Sequence, residues 1–568
     1  MTHLNKPRTR AQESRAAIER LYIAMRHLFI RGNYKPLGVS GEAMIKSLKQ
    51  LCPEIYGDLS DPEKVELDGL LYIFQRLPRG IEECRYVRLI SREGFENSSF
   101  QPIVPPKRRR NCYRIDDNQM YIEMTRGRSD IYDVLTHLTF MYMMAEKIRK
   151  NSQDHKGRKK REWEMLERIV EMEKRGEDFD QEVAYTYLST MLGRTYDDTL
   201  AACQRFSSSE AVNSVFHITY WLGKLSFDEA QHDEDREIYF SSALREKVGH
   251  HIYGESWAQN IKAKLKELKL LERPIHIISA NPHSIVNSLF APVALDRMTD
   301  ELDDIARDLS LSGNDQLRRK VKKLAFKNGM VEIMDTSGTN ISVQIFDTAK
   351  MSKIAFSPFL QWDKTFIEKE KPVILVMDYA FGEQAYETMD ELLKPFEEED
   401  KKTPLHISSI SVMGKAGILE GDKGDIMVPT AHVFEGTADN YPFQNELSKA
   451  DFEGYGLRVF EGPMISVLGT SLQNKDILRY FHRSSWHAIG LEMEGAHYQK
   501  AIQAATKIRT GGIDPDVVVR YAYYASDNPL ITGATLASGS LGVDGVKPTY
   551  LISLKILNQI LGGPENQA

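Results

Sequence analysis

Cysteine is scarce in this 568-residue chain: there are four, at positions 52, 84, 112 and 203, with no CxxC pair and none after position 203. Such scatter excludes a disulfide framework and a thiolate metal centre, and it fits a reducing compartment, the cytoplasm. Long apolar runs are missing too. The greasiest patch, "LTFMYMMA" from Leu138, is far short of the roughly 20 residues that cross a bilayer, so no membrane partner is expected. Neither sign of charge dominates: the formal net charge of −7 gives no reason to expect nucleic acid. The N-terminus "MTHLNKPRTRAQESRAAIERLYIAM" lacks the apolar core and cleavage site of a secretory signal and reads as a basic first helix. No internal repeat is visible. What is present, 42% hydrophobic and 27% charged residues, is the make-up of an ordinary globular protein too long for one core.

Two patterns divide the chain. Residues 1–268 read as a mostly helical domain of unknown role. In "AQESRAAIERLYIAMRHLFI", Ala17, Ile18, Leu21, Ile23, Met25, Leu28 and Phe29 recur at mixed three and four spacings, an amphipathic helical pattern, and 129–150, 161–175 and 228–252 behave likewise. "NSQDHKGRKKRE" (151–162) reads as a polar loop, and "PPKRRRNCYR" (105–114) as basic surface, with anion binding the lesser alternative. The acid-rich "FDEAQHDEDRE" with His232, and "GHH" with His250 and His251, read as solvated faces rather than metal sites, so neither a metal nor a cofactor is expected.

Near residue 272 the pattern changes. Residues 269–568 alternate continuously apolar runs with helical segments, and "VEIMDTSGTNISVQIFD" (331–347) reads as a hairpin turning at Ser337 and Gly338. Runs of that kind imply a sheet covered on both faces, hence an α/β domain. In such sheets ligands bind beyond the carboxyl ends of the strands. The strand tails therefore matter. "AIGL" ends in Glu492, Met493 and Glu494, and "VVVRYAYYA" ends in Ser526, Asp527 and Asn528. "SISVM" delivers Gly414 and Gly417, and "VILVM" delivers Asp378 and the loop around Gly382. Singly, an acid after a strand is most often a cap for the next helix. Together they suit one ligand class. A glutamate offers two acceptor oxygens to a vicinal diol, and an aspartate whose pKa is raised can protonate a leaving group. A diol clamp plus an acid suggests a sugar carrying a basic leaving group.

Three motifs, in family order, resemble the purine nucleoside phosphorylase and nucleosidase superfamily over about residues 270–562: "MGKAGILEGDKGDIMVPT" (413–430), "GLEMEGA" (490–496) and "YASDNPL" (524–530). Among its members, "ASDNPLITG" is most similar to the corresponding run of the AMP nucleosidases. The resemblance implies a phosphorylase-like α/β domain with a central mixed sheet covered by helices. It implies that Glu494 clamps the ribose 2′- and 3′-hydroxyls, that Met493 packs on the sugar, and that Asp527 serves the purine N7 as the glycosidic bond breaks. Gly414 and Gly417 would line the pocket, and Thr470, Ser471 and Leu472 lie where the family contacts the base. Glu492, Ser526, Gly382, Glu383 and His283 complete the expected set.

The departures favour water over phosphate as the nucleophile. The phosphorylases hold phosphate with arginines after the first strand; here that strand ends in "SANPHSIVN" and the glycine loop reads "DYAFGEQAYE", with no arginine in either. His283 and Glu383 are the candidates for positioning water. Ile418 stands where the family has the second glycine of its pair. The expected activity is thus cleavage of the N-glycosidic bond of a purine nucleoside or nucleotide by a homo-oligomeric enzyme. A phosphate-dependent phosphorylase and a non-catalytic nucleotide sensor are the alternatives.

Overall fold

The computed structural model describes residues 8–209, 212–232, 234–351, 353–398, 401–437, 439–509, 513–531 and 542–563, apart from the side chain at position 543. Thr532 and Gly533, the end of the "ASDNPLITG" run, lie outside these. The chain divides into two compact units, Met1–His250 with Ser471–Ile477, and His251–Thr470 with Leu478–Ala568.

The first unit carries more than helices. Five strands, β1 (Asn33–Tyr34), β2 (Tyr86–Ile90), β3 (Cys112–Arg114), β4 (Gln119–Glu123) and β5 (Glu237–Phe240), form one sheet in the order β1-β5-β2-β4-β3. This corrects the expectation of a single helix over 228–252. The helix Val215–His232 ends before it, and β5 pairs in parallel with β2. Within β5, Ile238 and Phe240 are buried while Tyr239 between them is exposed, the alternation a half-covered strand requires. The helix Gly127–Asn151 is buried on nearly every face, which explains why "LTFMYMMA" is apolar all round. By contrast Arg161–Arg175 buries one stripe, Trp163, Leu166, Ile169 and Val170. The four cysteines are unpaired thiols.

The second unit is α/β. Its strands are β6 (Ile275–Ser279), β7 (Met330–Ile333), β8 (Val343–Asp347), β9 (Val373–Met377), β10 (Phe396–Glu398), β11 (Lys401–Thr403), β12 (Ile407–Ile418), β13 (Ile426–Phe434), β14 (Asn440–Pro442), β15 (Val459–Ser466), β16 (Gly490–Glu492) and β17 (Val518–Asp527). All but the β10–β11 hairpin join one mixed sheet, β14-β13-β15-β16-β12-β6-β9-β8-β7, with β17 inserted between β12 and β13. That insertion closes β12, β16, β15, β13 and β17 into a ring. The β7–β8 hairpin forms as expected, on a turn in which Asp335 accepts from the N–H groups of Ser337, Gly338 and Asn340. Adjacent strand residues face opposite cores. Ile277, Leu375 and Met377 pack with the helices Ile252–Glu267, Gln384–Leu392 and Gly495–Gln503. Ile278, Ile374 and Val376 pack with Pro282–Ala294, Leu302–Ser310, Asp315–Lys327 and Val546–Leu561. Helices therefore cover the sheet on both faces. Among the described residues no helix is long and apolar enough to cross a membrane.

Candidate active site

The strand β12 organises the site. It runs parallel to β6 and β17 and antiparallel to β16, and Gly417 near its end pairs with Leu491 on one side and Asp527 on the other. The register with β17 jumps between Ala416 and Gly417, leaving Ser526 as the extra residue of a bulge. Bulges re-aim neighbouring side chains, and this one lies immediately before Asp527. The Ser526 hydroxyl lies 3.1 Å from the Ala416 carbonyl and also contacts Asp527 Oδ1. It has one proton to share between them. If that proton goes to the carbonyl, the lone pair left facing Asp527 is best met by a protonated carboxyl.

Asp527 is 6% exposed, and its Oδ2 is buried with no partner among the described residues. Burial pushes its carboxyl up to about 6, against the hydrogen bond from Ser526 and the charge of Lys415. A carboxyl of that kind keeps its proton to a higher pH than an exposed aspartate does, and its Oδ2 has hydrogen-bonding capacity that no described residue uses.

Glu492 and Glu494, two residues apart, have different work. β16 is only three residues long, and at its end the chain turns directly into the helix Gly495–Gln503. Glu492 is buried at 5% exposure. Its Oε2 accepts from the N–H of Glu494 at 2.5 Å and from the N–H of Gly495, and its Oε1 from the Ser466 hydroxyl. It thus satisfies the open N–H groups at the helix start. Burial raises its carboxyl to about 7 despite those bonds. Glu494 sits at the N-cap position, yet its side chain makes no cap hydrogen bond. It is half-buried and accepts instead from the backbone N–H of Gly382, at 2.9 Å. Gly382 reaches that position with φ +55°, a left-handed conformation suited to glycine.

Met493, between the two acids, is 8% exposed. Glu383 follows Gly382, half-buried, at the start of the helix Gln384–Leu392, which its side chain does not cap. A Cβ added at Gly414 would meet Tyr379 at 3.6 Å and Tyr523 at 3.9 Å, ordinary contacts, so packing does not demand glycine there. Gly495 is different: a Cβ would lie 2.3 Å from His432 Nε2 and 2.7 Å from the Tyr523 hydroxyl. His432, held neutral by burial with its pKa near 3, supports the start of this helix together with Tyr523.

The remaining expected residues have other surroundings. His283 is exposed, and its N–H donates to Asn281 Oδ1 at 2.9 Å in an ordinary helix start. Thr470 is half-buried at the edge of the second unit, whereas Ser471 and Leu472 are buried and group with the first, where Ser471 hydrogen-bonds Tyr56. Lys415, Tyr379, Tyr523 and His432 were not singled out from sequence; Lys415 stands inside the "MGKAGIL" motif, two residues before Gly417. Among the described residues one group has metal-ligand spacing, Glu82, Glu83 and His217. His217, Arg114 and Asn213 bond those carboxylates in an ion-pair cluster.

The second unit is thus a mixed sheet, partly closed on itself, whose successive strand ends carry a helix-capping Glu492 beside Glu494 and a buried Asp527 carboxyl. The chain matches the family described as "Family of unknown function (DUF6909)" over residues 42–310 and 305–562, and it belongs to that family. No curated protein matches it. Among solved structures it is similar to the 5′-methylthioadenosine/S-adenosyl homocysteine nucleosidase of Campylobacter jejuni, at 10% identity and a TM-score of 0.31, covering 51% of this chain and 98% of that one. It is likewise similar to the futalosine hydrolase of Helicobacter pylori, at 13% identity and a TM-score of 0.31, covering 51% and 98%. Likenesses this slight bear on neither the fold nor the reaction of this chain.

Proposed function

We propose that the second unit cleaves the N-glycosidic bond of a purine nucleoside or nucleotide with water, releasing the free base. The observation that carries this reading is Asp527. It is a strand-end carboxyl raised to about 6 by burial, with Oδ2 unpartnered, beside the glycine-bearing end of β12. Glu494 takes the ribose hydroxyls: Glu492 already serves the helix, which releases the Glu494 carboxylate from capping. As the bond to the base breaks, positive charge grows on the sugar and negative charge on the base. A carboxylate near the sugar hydroxyls stabilises the first, and the Asp527 proton, delivered to N7, relieves the second. Met493 packs against the sugar, and Gly414 leaves room for the base. A nucleotide such as AMP is the substrate form suggested by the "ASDNPL" run.

The test is a panel of purine nucleosides and 5′-nucleotides incubated with and without phosphate, with free base read by chromatography. Base release without phosphate is the expected result. Release only with phosphate, together with accumulating ribose 1-phosphate, would replace hydrolysis by phosphorolysis. No release from any member would remove the glycosidase reading.

A further inference from the structure

Hydrogen bonds hold Glu82, Glu83 and His217 together in the first unit, but they do not use the group up. Glu82 and Glu83 close the short 3₁₀ turn Ile81–Glu83, and His217 stands in the first turn of the helix Val215–His232. Each carboxylate has one oxygen held by a neighbour. Asn213 Nδ2 donates to Glu82 Oε1 at 2.6 Å, and Arg114 Nη1 lies 2.8 Å from Glu83 Oε2. The other two oxygens differ: Glu83 Oε1 is 2.8 Å from His217 Nε2, whereas Glu82 Oε2 is buried and without a partner.

Ion pairing therefore leaves Glu82 short. It is 1% exposed, and among the described residues no lysine or arginine pairs with it; His217 Nε2 is 3.8 Å away. A buried carboxylate is normally paired with a cation or bound to a metal. Glu83 and His217 are only half-buried, which gives an ion a way in from solvent. One ligand atom from each of the three residues lies within 4.8 Å of the other two. Metal–ligand bonds of about 2.0–2.2 Å put ligand atoms roughly 3–4 Å apart, a spacing reached here by side-chain shifts of about 1 Å.

We propose that Glu82, Glu83 and His217 bind a divalent transition-metal ion through the imidazole Nε2 and one oxygen of each carboxylate. Imidazole suits Zn²⁺ and carboxylate suits Mn²⁺, so the mixed set fits either ion better than Mg²⁺ or Ca²⁺, which prefer oxygen alone. Asn213 and Arg114, on the other carboxylate oxygens, orient the ligands from behind. Three protein ligands leave at least one position to water. The sequence hides the group, because Glu83 and His217 are 134 residues apart. The proposal stands whether or not the second unit is a glycosidase.

Full-length protein is stripped with chelator, dialysed into metal-free buffer and titrated by calorimetry with Zn²⁺, Mn²⁺ and Mg²⁺, with thermal melts alongside. One equivalent of Zn²⁺ or Mn²⁺ should bind in the micromolar range or tighter, and the tighter of the two names the ion. At a hundredfold excess over Kd the bound ion should raise Tm by about 5 °C. Asn213→Ala removes only a support and should weaken binding by about 10- to 100-fold, whereas Glu82→Gln or His217→Ala removes a ligand and should weaken it by at least about 100-fold. No heat and no Tm shift with Zn²⁺ or Mn²⁺ in the millimolar range would overturn the proposal. Mg²⁺ binding as tightly as either would overturn it too, since the imidazole would then play no part. So would wild-type affinity in Glu82→Gln or, should that variant not fold, in His217→Ala.

Discussion

Replacing the two strand-end glutamates one at a time separates structure from chemistry. Glu492→Ala strips the acceptor from two backbone N–H groups at a buried helix start and from the Ser466 hydroxyl. A buried donor left without a partner costs about 1–3 kcal/mol. Partial relaxation of the helix start brings the total to roughly 2–4 kcal/mol, a fall in Tm of about 3–6 °C for a unit of about 300 residues. Glu494→Ala strips the acceptor from the Gly382 N–H, at a half-buried position where water can replace it. Its stability cost is about 1 kcal/mol or less. Its catalytic cost is the loss of a contact that strengthens as the sugar gains charge, about 2–4 kcal/mol in kcat/KM, or roughly 30- to 1,000-fold. Thermal melting by circular dichroism, run beside free-base chromatography on the same samples, measures both quantities. Equal losses of Tm in the two variants, with activity falling only in step with the unfolded fraction, would refute the division of labour. A wild-type Tm in Glu492→Ala would refute the capping role.

Asp527→Asn keeps shape and loses the proton: kcat should fall by about 10²–10⁴-fold with ligand binding retained by calorimetry. In the wild type, kcat/KM should decline as pH rises past about 6, where the acid form is lost. Glu492 predicts a pH effect on stability. Its carboxyl rises from an ordinary 4.5 to about 7 on folding, so its contribution is fully present below 4.5 and is lost as pH rises through 7. The loss is about 3 kcal/mol, and Glu492→Gln should flatten that part of a denaturant-derived stability profile. Gly495→Ala drives a Cβ into His432 and Tyr523 and should cost about 1–3 kcal/mol in a urea melt. Gly414→Ala has room in the fold; it should melt like the wild type and raise KM.

The strand ends were readable because apolar runs that stop at acids leave a local mark. Glu492, Glu494 and Asp527 all stand where that mark put them, at the ends of β16 and β17. Which of the two glutamates caps the helix was not readable, because it depends on Ser466 of β15, a neighbour only in space. The β5 strand was missed because four residues of alternation sit among acids that also suit a helix face. Arg108 and Arg110 read as solvent-facing because their counter-charges, Asp130 and Asp133, lie on a helix whose turns bring both acids to one face only once it forms. Ser471 and Leu472 follow the β15 strand in sequence but belong to the other unit, a separation that only long-range contacts reveal.

The ring formed by β12, β16, β15, β13 and β17 has a mechanical consequence. An open sheet can creep: one strand pair slips while the others hold. Around a closed circuit, a slip between any two neighbours must be undone somewhere else in the circuit, so the five registers form one constraint rather than five. Glu494 and Asp527 issue from members of that circuit, and their spacing is therefore set by closure. Hydrogen exchange should show it as a single block, with the ring's amides opening together at one free energy, while β14 and β7 at the two free edges exchange earlier.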